Sequence, residues 1–389
     1  MCGVAAPKKR ADSRAPPDPA MVGLSKPTWV SHDEQPIFSV DVHPDAFRFA
    51  TAGNDHRIKL WSLRPCIDEA AENDPVAHPR LLATLSGHEG SVNCVRWSPN
   101  GRLLASGSDD QLVMLWRLAN PGERGGAMPF GAAGPANIER WRCVATLRGH
   151  NGDVVGVAWS PDGRRVASVS LDNTVRVWDA SSDGDSAVLL KVLDGHHGMA
   201  KGVAWDPIGR YIASQGDDRC AVLWDARDWK EAARVDEPFQ RTSQKTLFRR
   251  LGWSPDGQFL CCPHAFKKPV NIAVVLRRPA SGSEWMQECD FVGHSDPVVC
   301  AAFNPRTFRR AQTANGDGGA DGGAKKGAPY SCCALGGQDC TLSLWLTSSP
   351  KPLVVVRKIF EQDVLDLSWS PDGCTLLACS MDGESPQRC

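Results

Sequence analysis

Residues Gly149 to Asp179 read GHNGDVVGVAWSPDGRRVASVSLDNTVRVWD, opening on a Gly-His pair and closing on a Trp-Asp pair. Between the pairs lie three short runs, Asp153 to Trp159, Arg165 to Val169 and Thr174 to Trp178. In the last run Val175 and Val177 fall on one side and Thr174, Arg176 and Trp178 on the other, which is the two-residue period of a strand. Ser160-Pro161-Asp162-Gly163 and Leu171-Asp172-Asn173 separate the runs with turn-forming residues. The stretch reads as three strands of one antiparallel sheet, which cannot bury both of its faces alone.

The same register recurs along the chain. Gly87-His88 leads to Trp97-Ser98-Pro99-Asn100-Gly101, then Ser106, Asp110 and Trp116. Gly195-His196 leads to Trp205-Asp206-Pro207, then Ser214, Asp218 and Trp224. Gly293-His294 leads to Phe303-Asn304-Pro305, then Asp339 and Trp345. Near the start, Ser31-His32 leads to His43-Pro44-Asp45, then Thr51, Asp55 and Trp61. In all five copies the Asp stands six places before the Trp. The interval from His196 to His294 has room for two repeats, and Leu251-Gly252-Trp253-Ser254-Pro255-Asp256-Gly257 marks the second, without the Gly-His or Trp-Asp pairs. Val364 to Gly383, with Trp369-Ser370-Pro371-Asp372-Gly373, makes a seventh. This pattern resembles the WD-repeat (WD40) family, and the resemblance implies an all-β, seven-bladed β-propeller.

His150, Ser168 and Asp172 have the composition of a hydrolase triad, but the set repeats as His88/Ser106/Asp110 and His196/Ser214/Asp218, with Thr51 for the serine beside His32 and Asp55. An enzyme has no use for one triad in each of several blades. A buried indole N–H is donor-only and needs an acceptor, so Trp61, Trp116, Trp178 and Trp224 explain the hydroxyls. The family resemblance implies a chain in each blade from Trp to Ser or Thr, to His, to Asp. In the sixth blade, with His294, Asp339 and Trp345, Leu335 occupies the hydroxyl position, so its network is expected to be broken. The fifth and seventh blades lack the His. These sets are structural, and no catalytic, cofactor-binding or metal-binding residue is assigned. No CxxC, HExxH, P-loop or dinucleotide-type glycine motif occurs, and His196-His197 is adjacent rather than spaced for a metal.

The chain has 389 residues, a formal net charge of −1 and ordinary globular composition, with no general field towards nucleic acid or membrane. Its 15 cysteines are scattered, often at strand positions where a free thiol behaves as a small apolar residue, and this favours a reducing compartment. Residues 1–26 read as a disordered tail, with Met21 as a second candidate start and Pro7-Lys8-Lys9-Arg10 as a candidate nuclear import signal. Residues 27–31, around Trp29, are expected to supply the outer strand of the last blade. Two insertions read as surface loops, 118–139 between the second and third blades and 306–330 within the sixth. After Gly383 the residues Glu384-Ser385-Pro386-Gln387-Arg388-Cys389 show no alternation, so 384–389 is expected to be an irregular tail and the ring to close poorly.

The segments between the repeat signatures are more specific. Lys26-Pro27-Thr28-Trp29-Val30-Ser31-His32, Ala136-Asn137-Ile138-Glu139-Arg140-Trp141, Leu247-Phe248-Arg249-Arg250-Leu251-Gly252-Trp253 and Cys379-Ser380-Met381-Asp382-Gly383 resemble the HIRA family of histone-regulator proteins. The resemblance runs from about Lys26 to Gly383 and implies a nuclear, non-enzymatic histone-chaperone subunit that deposits variant histone independently of replication and represses transcription. It also implies a ubinuclein-type partner, indirect contact with histones and no sequence-specific nucleic-acid binding. Two other classes remain: the propeller of the replication-coupled chromatin assembly factor, which shares the Phe-Arg-Arg-Leu segment, and a substrate-receptor propeller of a ubiquitin ligase.

Overall fold

The computed structural model describes residues 23–120, 137–181, 187–242, 245–280, 284–309, 329–382 and 387–388. Among them, six antiparallel sheets have four strands and one has three. The inner strands are Ile37–Val42, Val92–Trp97, Val154–Trp159, Ala200–Trp205, Gly252–Trp253, Val298–Phe308 and Val364–Trp369, and they pack side by side around a central channel. The chain is a seven-bladed β-propeller. In each blade alternate side chains of the first three strands bury against the neighbouring sheets, so the core is a ring of inter-blade clusters. One face carries the turns that join first and second strands, such as Ser160–Gly163. The opposite face carries the second-to-third turns with Asp110, Asp172 and Asp218.

Four expectations need correction. Residues 27–31 form no strand: Val30 N–H donates to Pro27 O in a turn, and the one bridge residue described before Ile37 is Ser25. Trp29 lies 6.0 Å from the Trp61 ring instead, with its indole donating to Glu72 Oε1 at 3.0 Å and the Arg80 guanidinium 5.4 Å from its centroid. Glu72 ends the second of two short helices, Arg64–Ile67 and Glu69–Glu72, inserted in the first blade. Pro27 has no N–H for a ladder and the indole needs an acceptor, so the segment caps the first blade.

The second correction concerns the 118–139 insertion. The outer strand of the second blade, Trp141–Leu147, follows it, so it lies inside that blade rather than between blades. Its described end turns back on the first blade: Asn137 exchanges hydrogen bonds with the Thr84 backbone, and Glu139 meets Arg48 at 2.8 Å. The middle of this insertion, most of the 306–330 insertion and residues 1–22 of the tail fall outside the described residues. The strands flanking the second insertion reach Phe308 and resume at Tyr330.

At the C-terminus, Gln387–Arg388 pairs antiparallel with Leu377–Ala378, so the expected irregular tail is paired there and, among the described residues, the seventh blade has three strands; the rest of 384–389 lies outside the described residues. Main-chain pairing in an extended segment does not require apolar alternation. The ring is also closed. Asp366 accepts from Ser39 Oγ at 2.7 Å and Val40 N–H at 3.2 Å, and Ser368 Oγ accepts from Val42 N–H at 3.0 Å. Leu377 and Cys379 pack with Val40 and Phe49 of the first blade. Among the described residues, polar side chains of the inner strands thus join the last blade to the first, and 27–31 adds no strand to it.

Candidate functional site

Four blades carry the expected network with nearly identical geometry. In the third, Trp178 Nε1 donates to Ser168 Oγ at 2.9 Å, Ser168 meets His150 Nε2 at 2.8 Å, and His150 Nδ1 meets Asp172 at 2.9 Å. Trp116, Ser106, His88 and Asp110 repeat it, as do Trp224, Ser214, His196 and Asp218. In the first blade Thr51 takes the hydroxyl role between Trp61 and His32, with Asp55 beyond. The roles follow from donor arithmetic: indole to hydroxyl, hydroxyl to Nε2, and Nδ1–H to carboxylate. The carboxylates also staple two loops, since Asp172 accepts from the N–H groups of Asn151 and Thr174. Thr51, Ser106, Ser168 and Ser214 are 0% exposed, so none of these hydroxyls can meet a substrate.

The sixth blade contradicts the expectation of a broken network. Ser343 supplies the hydroxyl, 2.8 Å from His294 Nε2 and 2.8 Å from Trp345 Nε1, while His294 Nδ1 lies 2.9 Å from Asp339. Ser343 is the cross-strand partner of Leu335, so the oxygen comes from the adjoining strand at the same level of the sheet. Ser343→Ala is therefore expected to cost about 1–3 kcal/mol in denaturant unfolding, by leaving two buried groups without partners. A loss within experimental error would show that the hydroxyl is dispensable.

Burial pushes the carboxyls of Asp55, Asp110, Asp172, Asp218 and Asp339 up, but the histidine and neighbouring N–H donors outweigh it and hold all five below the ordinary range. Burial likewise lowers His32 and His150, more than their aspartates raise them. Both kinds of group bind protons more weakly folded than unfolded. Their stabilisation is complete above the unfolded histidine pKa of about 6.5 and is lost as pH falls through the folded values. Asp41 acts oppositely: burial raises it to about 6, with Arg96 opposing, so protonation favours its folded form. Five depressed carboxyls and two depressed histidines outnumber it, so the melting temperature should fall on acidification from neutrality. A flat calorimetric profile between about pH 7 and 4 would contradict the network account.

His196, Asp218 and Cys220 form the one described group of ligand-type atoms lying within 4.8 Å of one another. Arg234 Nη1 stands 3.0 Å from Cys220 Sγ, and burial, with Asp218 nearby, pushes that thiol up to about 12. A guanidinium and a protonated thiol make this a poor cation site.

A second polar assembly ties the inner strands together. Arg250, 7% exposed, follows the irregular stretch between the fourth and fifth blades. Its Nε donates to Leu365 O at 3.0 Å, and its Nη2 donates to Phe38 O at 3.0 Å and Asn93 O at 2.7 Å. One guanidinium therefore ties the fifth blade to the seventh, first and second. Asp366 lies 3.5 Å from Arg250 and forms a bidentate pair with Arg96 at 2.7 and 2.9 Å. Burial pushes the Asp366 carboxyl up, but the two arginines outweigh it and hold it low. Arg249 turns the other way, to Asp217 at 2.5 Å and to Gly216 O, and clamps the fifth blade to the fourth.

The propeller family described as the CAF1B/HIR1 beta-propeller domain matches residues 24–385. Protein HIRA of Oryza sativa subsp. japonica is 47% identical over 369 residues, covering 92% of this chain and 36% of that protein. Protein HIRA of Homo sapiens is 46% identical, covering 92% of this chain and 34% of that protein. The HIRA homolog of Drosophila melanogaster is 45% identical over the same share of the chain. The chain belongs to the HIRA family. It spans about a third of the length of these HIRA proteins.

In this HIRA-family propeller, the Phe248-Arg249-Arg250 segment that carried the resemblance now has a physical role: the Arg250 guanidinium lies over the Phe248 ring, 4.4 Å from the ring centroid, and the two arginines join blades on either side. Sequence reasoning missed these residues as a site because their partners, such as Leu365 O and Asn93 O, are backbone atoms far away in the chain. A faint signal existed, since two adjacent arginines leading into an apolar inner strand are anomalous unless paired. The tryptophans before the Ser-Pro turns also gain a role. Trp159 Nε1 donates to Arg96 O at 2.9 Å and Trp369 Nε1 to Ala302 O at 3.1 Å, each reaching the preceding blade.

Proposed function

We propose that this chain is the propeller module of a HIRA-type histone chaperone, a nuclear, non-catalytic scaffold for replication-independent deposition of variant histone and for transcriptional repression. Identity of 45–47% to HIRA proteins across 92% of the chain carries the reading. The buried hydroxyls of the blade networks support a scaffold role over catalysis, because every recurrent polar set has a structural use. The partner is a ubinuclein-type subunit, with histones contacted through the complex and no cofactor needed.

Affinity purification from nuclear extract, followed by mass spectrometry, should recover a ubinuclein-like subunit. The matched family description also names the CAF1B propeller, so recovery of a large replication-coupled assembly-factor subunit would favour that second reading. Recovery of ubiquitin-ligase adaptors without chromatin proteins would reject both. Ser168→Ala should alter stability and no turnover; a hydrolase activity abolished by it in a folded protein would overturn the scaffold reading.

A further inference from the structure

On the face of the second-to-third turns, the channel mouth is set by the residues that enter the inner strands. Asp153, Met199, Leu247 and Asp363 hold equivalent places ahead of Trp159, Trp205, Trp253 and Trp369, in the third, fourth, fifth and seventh blades. One main-chain bond fixes their level. Asp153 O accepts from Leu171 N–H, Met199 O from Asp217 N–H and Asp363 O from Met381 N–H, each donor lying in the turn after the second strand.

Two of these entry residues are apolar and open to solvent: Met199 is 47% exposed and Leu247 43%. They adjoin across the fourth and fifth blades, since Lys201 Nζ donates to Thr246 O at 2.8 Å and Arg249 N–H to Lys201 O. Lys201 and Arg249 themselves are buried against Asp217. Single exposed apolar residues are ordinary, but two side by side at a mouth make a contact patch. Acids flank this patch on both sides. Towards the second and third blades, Asn93 Nδ2 donates to Asp109 at 2.6 Å and to Val154 O at 3.1 Å, which holds Asp109 beside Asp153. Towards the sixth and seventh, Gln338 donates its N–H to Pro297 O and its side chain to Asp363 at 2.8 Å, which sets Asp296 near Asp363. Among the described residues, none of these four carboxylates makes an ion pair with a lysine or arginine. Burial raises the Asp153 and Asp363 carboxyls, and Asp109 and Asp296 respectively push them further up. Like charges held together without a cation are relieved by a cation that a partner brings.

We propose that this mouth docks an extended basic segment of a partner protein, with an apolar side chain on Met199 and Leu247 and lysine or arginine on either side, facing Asp109 and Asp153 in one direction and Asp296 and Asp363 in the other. Charge complementarity selects this occupant: the apolar patch alone would take any apolar chain, and the unpaired acids on both flanks restrict it to a basic one. The surface identifies a ligand chemistry and does not rest on the histone-chaperone reading.

The test titrates the whole chain into fluorescein-Lys-Lys-Leu-Leu-Lys-Lys-amide and reads the anisotropy. A Gln-Gln-Leu-Leu-Gln-Gln counterpart lacks the charges, and a Lys-Lys-Ser-Ser-Lys-Lys counterpart lacks the apolar anchor. The first peptide should bind saturably and each counterpart about tenfold more weakly. Met199→Gln with Leu247→Gln, both at exposed positions, should weaken binding about tenfold, and Asp109→Asn with Asp153→Asn about fivefold. Glu69→Gln, which removes an exposed acid on the second inserted helix of the first blade, should leave it unchanged. No binding at millimolar protein, equal binding of the serine peptide, or unchanged affinity in the Met199/Leu247 variant would each overturn the proposal. Dimerisation of the chain that this variant abolishes, with no peptide bound, would assign the face to a second copy and overturn it as well. Should the Asp109/Asp153 variant fail to fold, the three peptides and the Met199/Leu247 variant still decide it.

Discussion

Replacing Arg250 with methionine is expected to destabilise the propeller by about 3–5 kcal/mol, a large fraction of a typical domain's stability. Methionine keeps much of the volume and removes the donors. The carbonyls of Leu365, Phe38 and Asn93 then lose their guanidinium partner in the buried channel, and Asp366 keeps only Arg96 among its arginines. Asp366→Asn should also be severe, because Ser39, Val40 and Arg96 all donate to that carboxylate. The two losses should not add. Each breaks one assembly, so the double variant should fall short of the sum by about 0.5–3 kcal/mol in a denaturant double-mutant cycle. Additive losses would mean that the arginine and the carboxylate act independently, and the hub account would fail.

Gly202→Ala should have an effect of comparable size for a purely steric reason. A Cβ on Gly202 would stand 1.7 Å from the carbonyl oxygen of Arg249, which is backbone and cannot rotate away. Relief requires moving the Phe248–Arg250 segment, and with it the guanidiniums of Arg249 and Arg250. Overpacking alone costs about 1–3 kcal/mol, and displacing the clamp to Asp217 adds to it, so a loss of at least about 3 kcal/mol is expected. Gly23→Ala is the control, since nothing lies within 4 Å of its Cβ position. A Gly202→Ala protein that melts with the natural chain would show that the fourth and fifth blades do not approach so closely.

The blade networks contrast with this hub in how they are encoded. His150, Ser168, Asp172 and Trp178 sit within one repeat, at offsets repeated in the second and fourth blades and one residue longer from the His in the first, and a local sheet register is enough to bring them together. The sixth blade failed the same reading because the register places Ser343 opposite Leu335, so either strand can deliver the hydroxyl. Offsets along one strand cannot distinguish those two sources; cross-strand pairing does.

What the sequence determined by itself was the repeat: seven blades, their strand periods, the turns and most of each blade's internal polar chain. These depend on two-residue alternation and on neighbours a few tens of residues apart, and both are written in linear order. What only the tertiary structure decided was how the blades meet. Arg250 bonds carbonyls at positions 38, 93 and 365, Asp366 closes the ring on Ser39 and Val40, and Trp29 turns to Glu72 instead of completing the last blade. The Arg250 and Asp366 contacts use backbone atoms, which have no residue identity, or join side chains hundreds of positions apart. Packing seven sheets into a closed circle creates them, and no local pattern in the chain names their partners.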